Sequence, residues 1–385
     1  MNVPWNNAGS HTLLALAWSR LSHAPAAKNE PSTWHAAQSG SDIVMLTHPS
    51  FTGGLQPLAD HRRSQGKTVS VVNIDDVFDE FNFGERSPHA MRDFLATASG
   101  NWKTAPRYLL LVGDASFDPR NYLGFGHLDF MPTRTVGTFY LKTSSDEWFS
   151  DFKNTGVGEI ATGRLPVRTQ ADLQTTVRKI VGYDKNSGSW TNGALLIADN
   201  DPTQPFDQDT KTVQSLLPSG MKVTTIFADQ DANAHANVLA GLNAGQLLVN
   251  YSGHGSVEVW GHLLNDADAA ALTNGNRLPV ILATDCLNGL FDDVFTTSMA
   301  ESLLLARDGG AVAVFAASSL NDDPPQAELD RNVVQSLFSG LNLALGDAVH
   351  AAKLKSTDSD VRRTYILFGD PAMHLHRTGT AANQK

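Results

Sequence analysis

Two apolar runs end in residues that can do nucleophilic and acid–base chemistry. The segment Gln246 to Gly255, QLLVNYSGHG, runs into a Gly-His-Gly turn at His254, and Leu278 to Gly289, LPVILATDCLNG, ends at Cys286, the only cysteine of the chain. In an open α/β sheet ligands bind at the carboxyl ends of the strands, so an imidazole presented there is placed for proton transfer. The glycines flanking His254 permit positive φ and close approach of another backbone. A thiol at such a strand end faces the backbone N–H groups of the turn that follows, which favour a thiolate and offer a place for an oxyanion. Taken singly, each feature has a plain structural explanation: a histidine decorating a glycine turn, and a cysteine acting as a small buried hydrophobe. If the two strands are neighbours joined by the helix near Asp266 to Asn274, right-handed crossover geometry brings His254 and Cys286 out on one sheet edge. That is a Cys/His pair built by topology.

The rest of the chain supplies a framework of the required kind. From Asp42 onward, short apolar runs alternate with helical segments, the pattern of an α/β fold with a largely parallel sheet. Ten strands are expected, at Ile43 to Thr47, Thr68 to Ile74, Arg107 to Val112, Gly158 to Thr162, Ala194 to Ala198, Val223 to Phe227, Gln246 to Tyr251, Pro279 to Ala283, Ala311 to Ala316 and Thr364 to Phe368. Ten are too many for one small sheet. A helix is predicted over Thr169 to Lys185, with Leu173, Val177, Ile180 and Val181 on one face and Thr169 and Asp172 as its capping box. The polar, Gly/Ser-rich stretch Lys185 to Gly193 is the best internal boundary. The resulting division is a leader or remnant of a preceding segment at 1–40, α/β units at 41–190 and 191–376, and a tail at 377–385.

Composition limits what these units can do. With 29 basic and 40 acidic side chains in 385 residues the net charge is −11, which argues against binding nucleic acid or anionic lipid through bulk charge. No apolar run approaches the roughly 18 to 20 residues needed to span a bilayer. Thr12 to Trp18 is short and has no basic residue before it, so no signal peptide is read. A single cysteine excludes an internal disulfide framework and a zinc site of several thiolates. Gly113, Gly124 and Gly126 form no dinucleotide fingerprint, and no phosphate loop is present.

YSGHGSVEVWG (Tyr251 to Gly261), DCLNGLF (Asp285 to Phe291) and AVAVFAAS (Ala311 to Ser318) resemble the catalytic region of the gingipain family of cysteine peptidases, in the same clan as caspases and legumain. The order of the blocks and the 32-residue spacing from His254 to Cys286 agree. RYLLLVGDASFD (Arg107 to Asp118), SSDEWF (Ser144 to Phe149), EIATGRLPVRT (Glu159 to Thr169) and TYILFGDP (Thr364 to Pro371) extend the resemblance over Ser41 to His376. It implies a caspase/gingipain-like α/β fold of two side-by-side subdomains, with mainly parallel sheets flanked by helices. It also implies a cysteine endopeptidase acting on a protein or peptide, secreted or held at a bacterial cell envelope. On that reading Cys286 is the nucleophile, His254 the general acid/base, the N–H groups of Gly255 and Cys286 the oxyanion donors, and Asp146 or Glu147 the acid that orients the imidazole. The chemistry needs no cofactor. Family members bind calcium, making a structural calcium ion an expectation here.

The chain departs from the family pattern at several points. The resemblance puts Thr155 where arginine-specific members have an acidic pocket residue. The loop SLNDDPP replaces a segment with a tryptophan near the pocket, and its Asp322 and Asp323 either form an acidic pocket for Arg or Lys or cap the helix that starts near Pro325. Asp285 stands where a small residue is expected, and strand alternation turns it away from Cys286. The loop Asp151 to Glu159, DFKNTGVGE, has the Asp and Gly of a calcium loop but Lys153 and Thr155 where oxygen ligands are wanted. His254 and His262 with Asp266 and Asp268, or His374 with His376, are weaker metal groupings. Two alternatives stay open: an inactive gingipain-like binding module, and a sortase-like transpeptidase using the same dyad.

Overall fold

The computed structural model describes residues 17, 32–36 and 40–376. Most of the leader segment, including all of Thr12 to Trp18 but Ala17, and the tail from 377 lie outside the described residues. Among the described residues fifteen strands occur in chain order: β1 Ile43–Thr47, β2 Val69–Asn73, β3 Tyr108–Val112, β4 Arg134–Gly137, β5 Lys142–Ser145, β6 Ala161–Leu165, β7 Gly193–Ala198, β8 Lys222–Phe227, β9 Leu248–Ser252, β10 Gly255–Ser256, β11 Val259–Trp260, β12 Leu264–Asn265, β13 Val280–Thr284, β14 Ala313–Ala317 and β15 Tyr365–Phe368.

Ten of these form one continuous sheet in the order β2-β1-β3-β6-β15-β14-β13-β9-β7-β8. Every one overlaps a strand expected from the sequence. The count therefore did not require two sheets: β1, β2, β3 and β6 make one half, the later strands make the other, and they lie side by side along a single sheet. Their seam is narrow, a single paired position between Phe368 of β15 and Arg164 of β6. All neighbours are parallel except β14 and β15. The inner strands β1, β3, β7, β9, β13, β14 and β15 are buried along their whole length because helices cover both faces, which is why they read as unbroken apolar runs. The edge strands β2 and β8 are partly exposed, and β8 carries Lys222 and two threonines.

The helix Gln170–Tyr183 starts as its sequence dictates. Asp172 N donates to Thr169 Oγ1 at 3.1 Å and Thr169 N to Asp172 Oδ2 at 2.9 Å, closing the capping box. Its Leu173, Val177 and Ile180 are buried in the core. The hairpin β4–β5 and the small sheet β10-β11-β12 were not expected, because strands of two to four residues are too short to show a period. No helix among the described residues is long and apolar enough to cross a membrane.

Candidate active site

β9 and β13 are adjacent parallel strands, paired from Leu248 with Val280 to Ser252 with Thr284. His254 lies two residues past Ser252, and Cys286 two past Thr284. The same 32 positions thus separate the strand partners and the two reactive residues, so both emerge at equivalent heights on one sheet edge. β7 lies on the other side of β9, with Ala198 in register with Ser252. It delivers Asp199 and Asp201 to the same edge.

The His254 turn is held by its main chain. Its N–H donates to Asp199 Oδ2 at 3.2 Å, and its carbonyl accepts from Tyr251 Oη at 2.7 Å and from Gly261 N at 2.9 Å. The flanking glycines are required by packing and not by backbone sign, since neither has positive φ. A Cβ on Gly253 would sit 2.4 Å from both Asp199 Cβ and Tyr251 Oη, and one on Gly255 would sit 2.6 Å from Asp285 Oδ2 and from Cys286 O. The imidazole, 58% exposed, places Nε2 at 2.7 Å from Asp201 Oδ2. Its edge meets the ring of Phe206, the first residue of the helix Phe206–Leu216, at 5.2 Å and 89°. Nδ1 has no protein partner among the described residues. The hydrogen bonds from His254 and from the hydroxyl and N–H of Thr203 hold the Asp201 carboxyl down to about 2.

Cys286 begins a tight turn. Leu287 after it has φ of 66°, a left-handed conformation uncommon for a branched residue and often found where a site stores strain. The turn is fastened to β14 and the loop beyond it by Leu287 N to Ser319 O at 3.1 Å and Gly289 N to Ala317 O at 2.7 Å. The buried side chain of Asn288 donates to Ser256 O and, at 3.1 Å, to Val259 O, tying the cysteine turn to the strands that follow the histidine. Cys286 Sγ accepts from Asn321 N at 3.5 Å and lies 3.6 Å from Asn321 O. Burial pushes the thiol up, Asp285, Asp322 and Asp323 push it further, and only the Asn321 N–H opposes them. No hydrogen bond joins Cys286 to His254 in this arrangement.

Several expected site residues lie elsewhere. Asp146 is buried and binds Arg164 through two hydrogen bonds of 2.6 and 2.7 Å, while Glu147 pairs with the buried Lys353 and accepts from Gly158 N. Neither contacts His254; Asp201 does. The two carboxylates were plausible orienters only while the partners of Arg164 and Lys353 were unknown. Thr155 contacts Asp151, Val157 and Arg362 and takes no part in the dyad region. In the Asp151 loop the carboxylate binds the loop's own main chain, accepting from Thr155 N and Gly156 N, each at 2.8 Å. Asp268 faces His235, His374 faces Asn342 O, and His376 bonds Tyr183 O. Among the described residues no cluster of three or more such side chains could hold a metal.

The two aspartates of the 318–325 loop have different fates. Asp322 occupies the N-cap position of the helix Asp323–Leu337 without capping it through its side chain, and accepts instead from the Tyr140 hydroxyl. Asp323 is half-buried with Oδ2 unpartnered; burial first, then the Asp209 carboxylate, raise it to about 6, while Arg331 and His254 oppose. Asp285 is fully buried and has not left the site, as its contact with Gly255 shows. Beside His254 a cavity of about 400 Å³ is lined by Asp199, Asp201, Asp207 and Asp229. Asp201 escaped the sequence reading because an aspartate after a strand is ordinary; the signal available was the cluster of acids in IADND at the end of β7.

The protein is similar to known proteins over nearly all of the described residues. Gingipain R2 of Porphyromonas gingivalis is 24% identical over 359 residues, covering 86% of this chain and 45% of that protein. Gingipain R1 of the same organism is 25% identical over 364 residues, covering 87% of this chain and 34% of that one. The chain thus spans less than half the length of these curated relatives. The solved structure of the Arg specific cysteine proteinase gingipain R shares the fold with a TM-score of 0.73 and 22% identity, covering 90% of this chain and 80% of the other. The family model described as peptidase family C25 matches residues 36–376, and the chain belongs to that family.

Proposed function

We propose that the protein is a cysteine endopeptidase in which Cys286 attacks the peptide carbonyl and His254 moves the proton. The observation that carries this reading is the register match that sets His254 and Cys286 equally far past paired strand ends. In the resting arrangement the thiol rests on the Asn321 main chain, and catalysis requires Sγ to pass its proton to the free Nδ1 of His254. Asp201 then faces the imidazolium through Nε2 and stabilises its charge. The thiolate adds to the carbonyl, the N–H groups of Gly255 and Cys286 take the oxyanion, and collapse expels the amine, which His254 protonates. Water, with His254 as base, hydrolyses the thioester.

The surroundings of the imidazole favour a basic residue on the acyl side of the scissile bond. Four carboxylates line the neighbouring cavity, and Asp323, close enough to His254 for their charges to act on one another, has an unpartnered buried oxygen. A guanidinium or ammonium group would find charge-assisted partners there, whereas an acidic side chain would be repelled.

The test is cleavage of a fluorogenic peptide set varied at P1, under reducing conditions, by wild type and Cys286→Ala. Cleavage that needs Cys286 and favours Arg or Lys is expected. Equal cleavage by the variant, or silence of folded, reduced wild type on every peptide, overturns the reading. Ligated product on adding an amine acceptor would mark the transpeptidase instead.

A further inference from the structure

The residue before the nucleophile is a carboxylic acid with nowhere to place a charge. Asp285 has no exposure, and neither of its oxygens has a hydrogen-bond partner. Every group that packs near it is neutral or acidic. On β9, Tyr251 gives its hydroxyl proton to His254 O and has Asp199 beyond it. On β15, Tyr365 gives its proton to Gln326 Oε1 at 2.6 Å, and the nearby charge on the helix Asp323–Leu337 is the buried Asp330. Gly255 lies directly against Oδ2, and Cys286 follows in sequence. An isolated carboxylate in such surroundings is held as the neutral acid, and burial raises Asp285 well above the usual carboxyl range.

We propose that Asp285 is a positioning residue that works as a neutral carboxylic acid: uncharged, it packs against Gly255, and its ionisation opposes formation of the Cys286 thiolate. The inference rests on the peptidase reading for its consequence in catalysis, but its physical content concerns only the thiol. Loss of the Asp285 proton to solvent leaves an unpaired buried charge on the residue before Cys286, where it pushes the thiol up, and two like charges that act on one another titrate as a coupled pair, the second at higher pH. Rising pH would then work against thiolate formation through a group that takes no part in the chemistry.

The experiment is the rate of Cys286 alkylation by iodoacetamide between pH 5 and 9 (a range of about four units around neutrality) in wild type, Asp285→Asn and Asp285→Ala. With one cysteine in the chain the label is unambiguous. Both variants are expected to alkylate about threefold or more faster than wild type at alkaline pH, with the midpoint about half a unit lower. Superimposable profiles overturn the proposal. Thermal unfolding supplies the second readout. An acid whose folded pKa is raised loses stability as pH climbs from its unfolded value near about 4, so the Tm advantage of Asp285→Asn should be absent below that pH and widen above it. A pH-independent difference overturns the neutral-acid assignment. Asp285→Ala carries the same test should the asparagine fit poorly. Alkylation needs no substrate, so failure of the peptidase reading would show as absent cleavage without deciding this question.

Discussion

Asp201 Oδ2 sits 2.7 Å from His254 Nε2, and with Cys286 the three residues come from β7, β9 and β13, three neighbouring parallel strands that release them in that order along one edge. The three stand in a line in which the thiol gives its proton to the imidazole, while the carboxylate holds the ring and stabilises its charge. Removing the last member tests the line. Asp201→Ala should lower kcat by about 10²-fold with KM little changed, because orientation and charge stabilisation matter most in the transition state. Since Asp201 is held down to about 2, it stays ionised throughout the acid range, and its contribution is lost only as pH falls toward that value. An acidic limb near pH 4 that disappears in the variant would contradict this assignment; steady-state kinetics over pH decides it.

Asn288 makes the second structural prediction. Its amide donates to Ser256 O and Val259 O from a fully buried position. Asn288→Ala removes both of these buried hydrogen bonds and should destabilise the fold by about 1–3 kcal/mol. Because the lost bonds join the cysteine turn to the histidine side, kcat should fall further than stability alone explains. Denaturant unfolding set beside turnover on the same preparation measures both.

Asp146 should behave as a structural residue. Asp146→Asn strands the buried Arg164 guanidinium, whose remaining bonds go to Gly113 O at 2.9 Å and Met131 O at 3.0 Å. Breaking such a buried pair costs roughly 3–5 kcal/mol. Chemical denaturation should report that loss, while the folded fraction keeps a near-normal kcat and an unchanged pH profile. A large kcat effect at full folding would return Asp146 to the list of orienting acids.

Asp323, raised to about 6, makes basic-residue recognition depend on pH. Above that value it is charged and attracts a cation; below it the attraction fades. Preference for Arg over Leu at P1 should therefore strengthen as pH rises through the mildly acidic range. In Asp323→Asn the preference should drop by about tenfold and lose this dependence, a modest figure because the group is only half-buried and partly screened. Comparing kcat/KM for matched Arg and Leu peptides at two pH values checks it.

Much of this was legible in the chain. The seven fully buried strands of the main sheet left apolar runs because both sheet faces are covered there, and the Thr169/Asp172 cap left its local signature. The Gly-His-Gly and Asp-Cys turns mark themselves by residue type at strand ends. The β4–β5 hairpin and the three short strands after His254 left no such trace, since two to four residues pair through backbone bonds that side chains do not announce.

The sequence by itself determined the ten strands of the main sheet and the family, and it singled out His254 and Cys286 as the candidate pair. Those depend on local pattern and on residue identity, which a linear chain carries in full. Only the tertiary structure decided which carboxylate faces the imidazole, and it chose Asp201 over Asp146 and Glu147. A charge finds its partner through space: Arg164 and Lys353 claimed two acids that stand beside one another in the chain, while strand order brought a third from 53 residues away to His254. The same packing buried Asp285 beneath Gly255, where alternation along a strand gave its direction but not what it would meet.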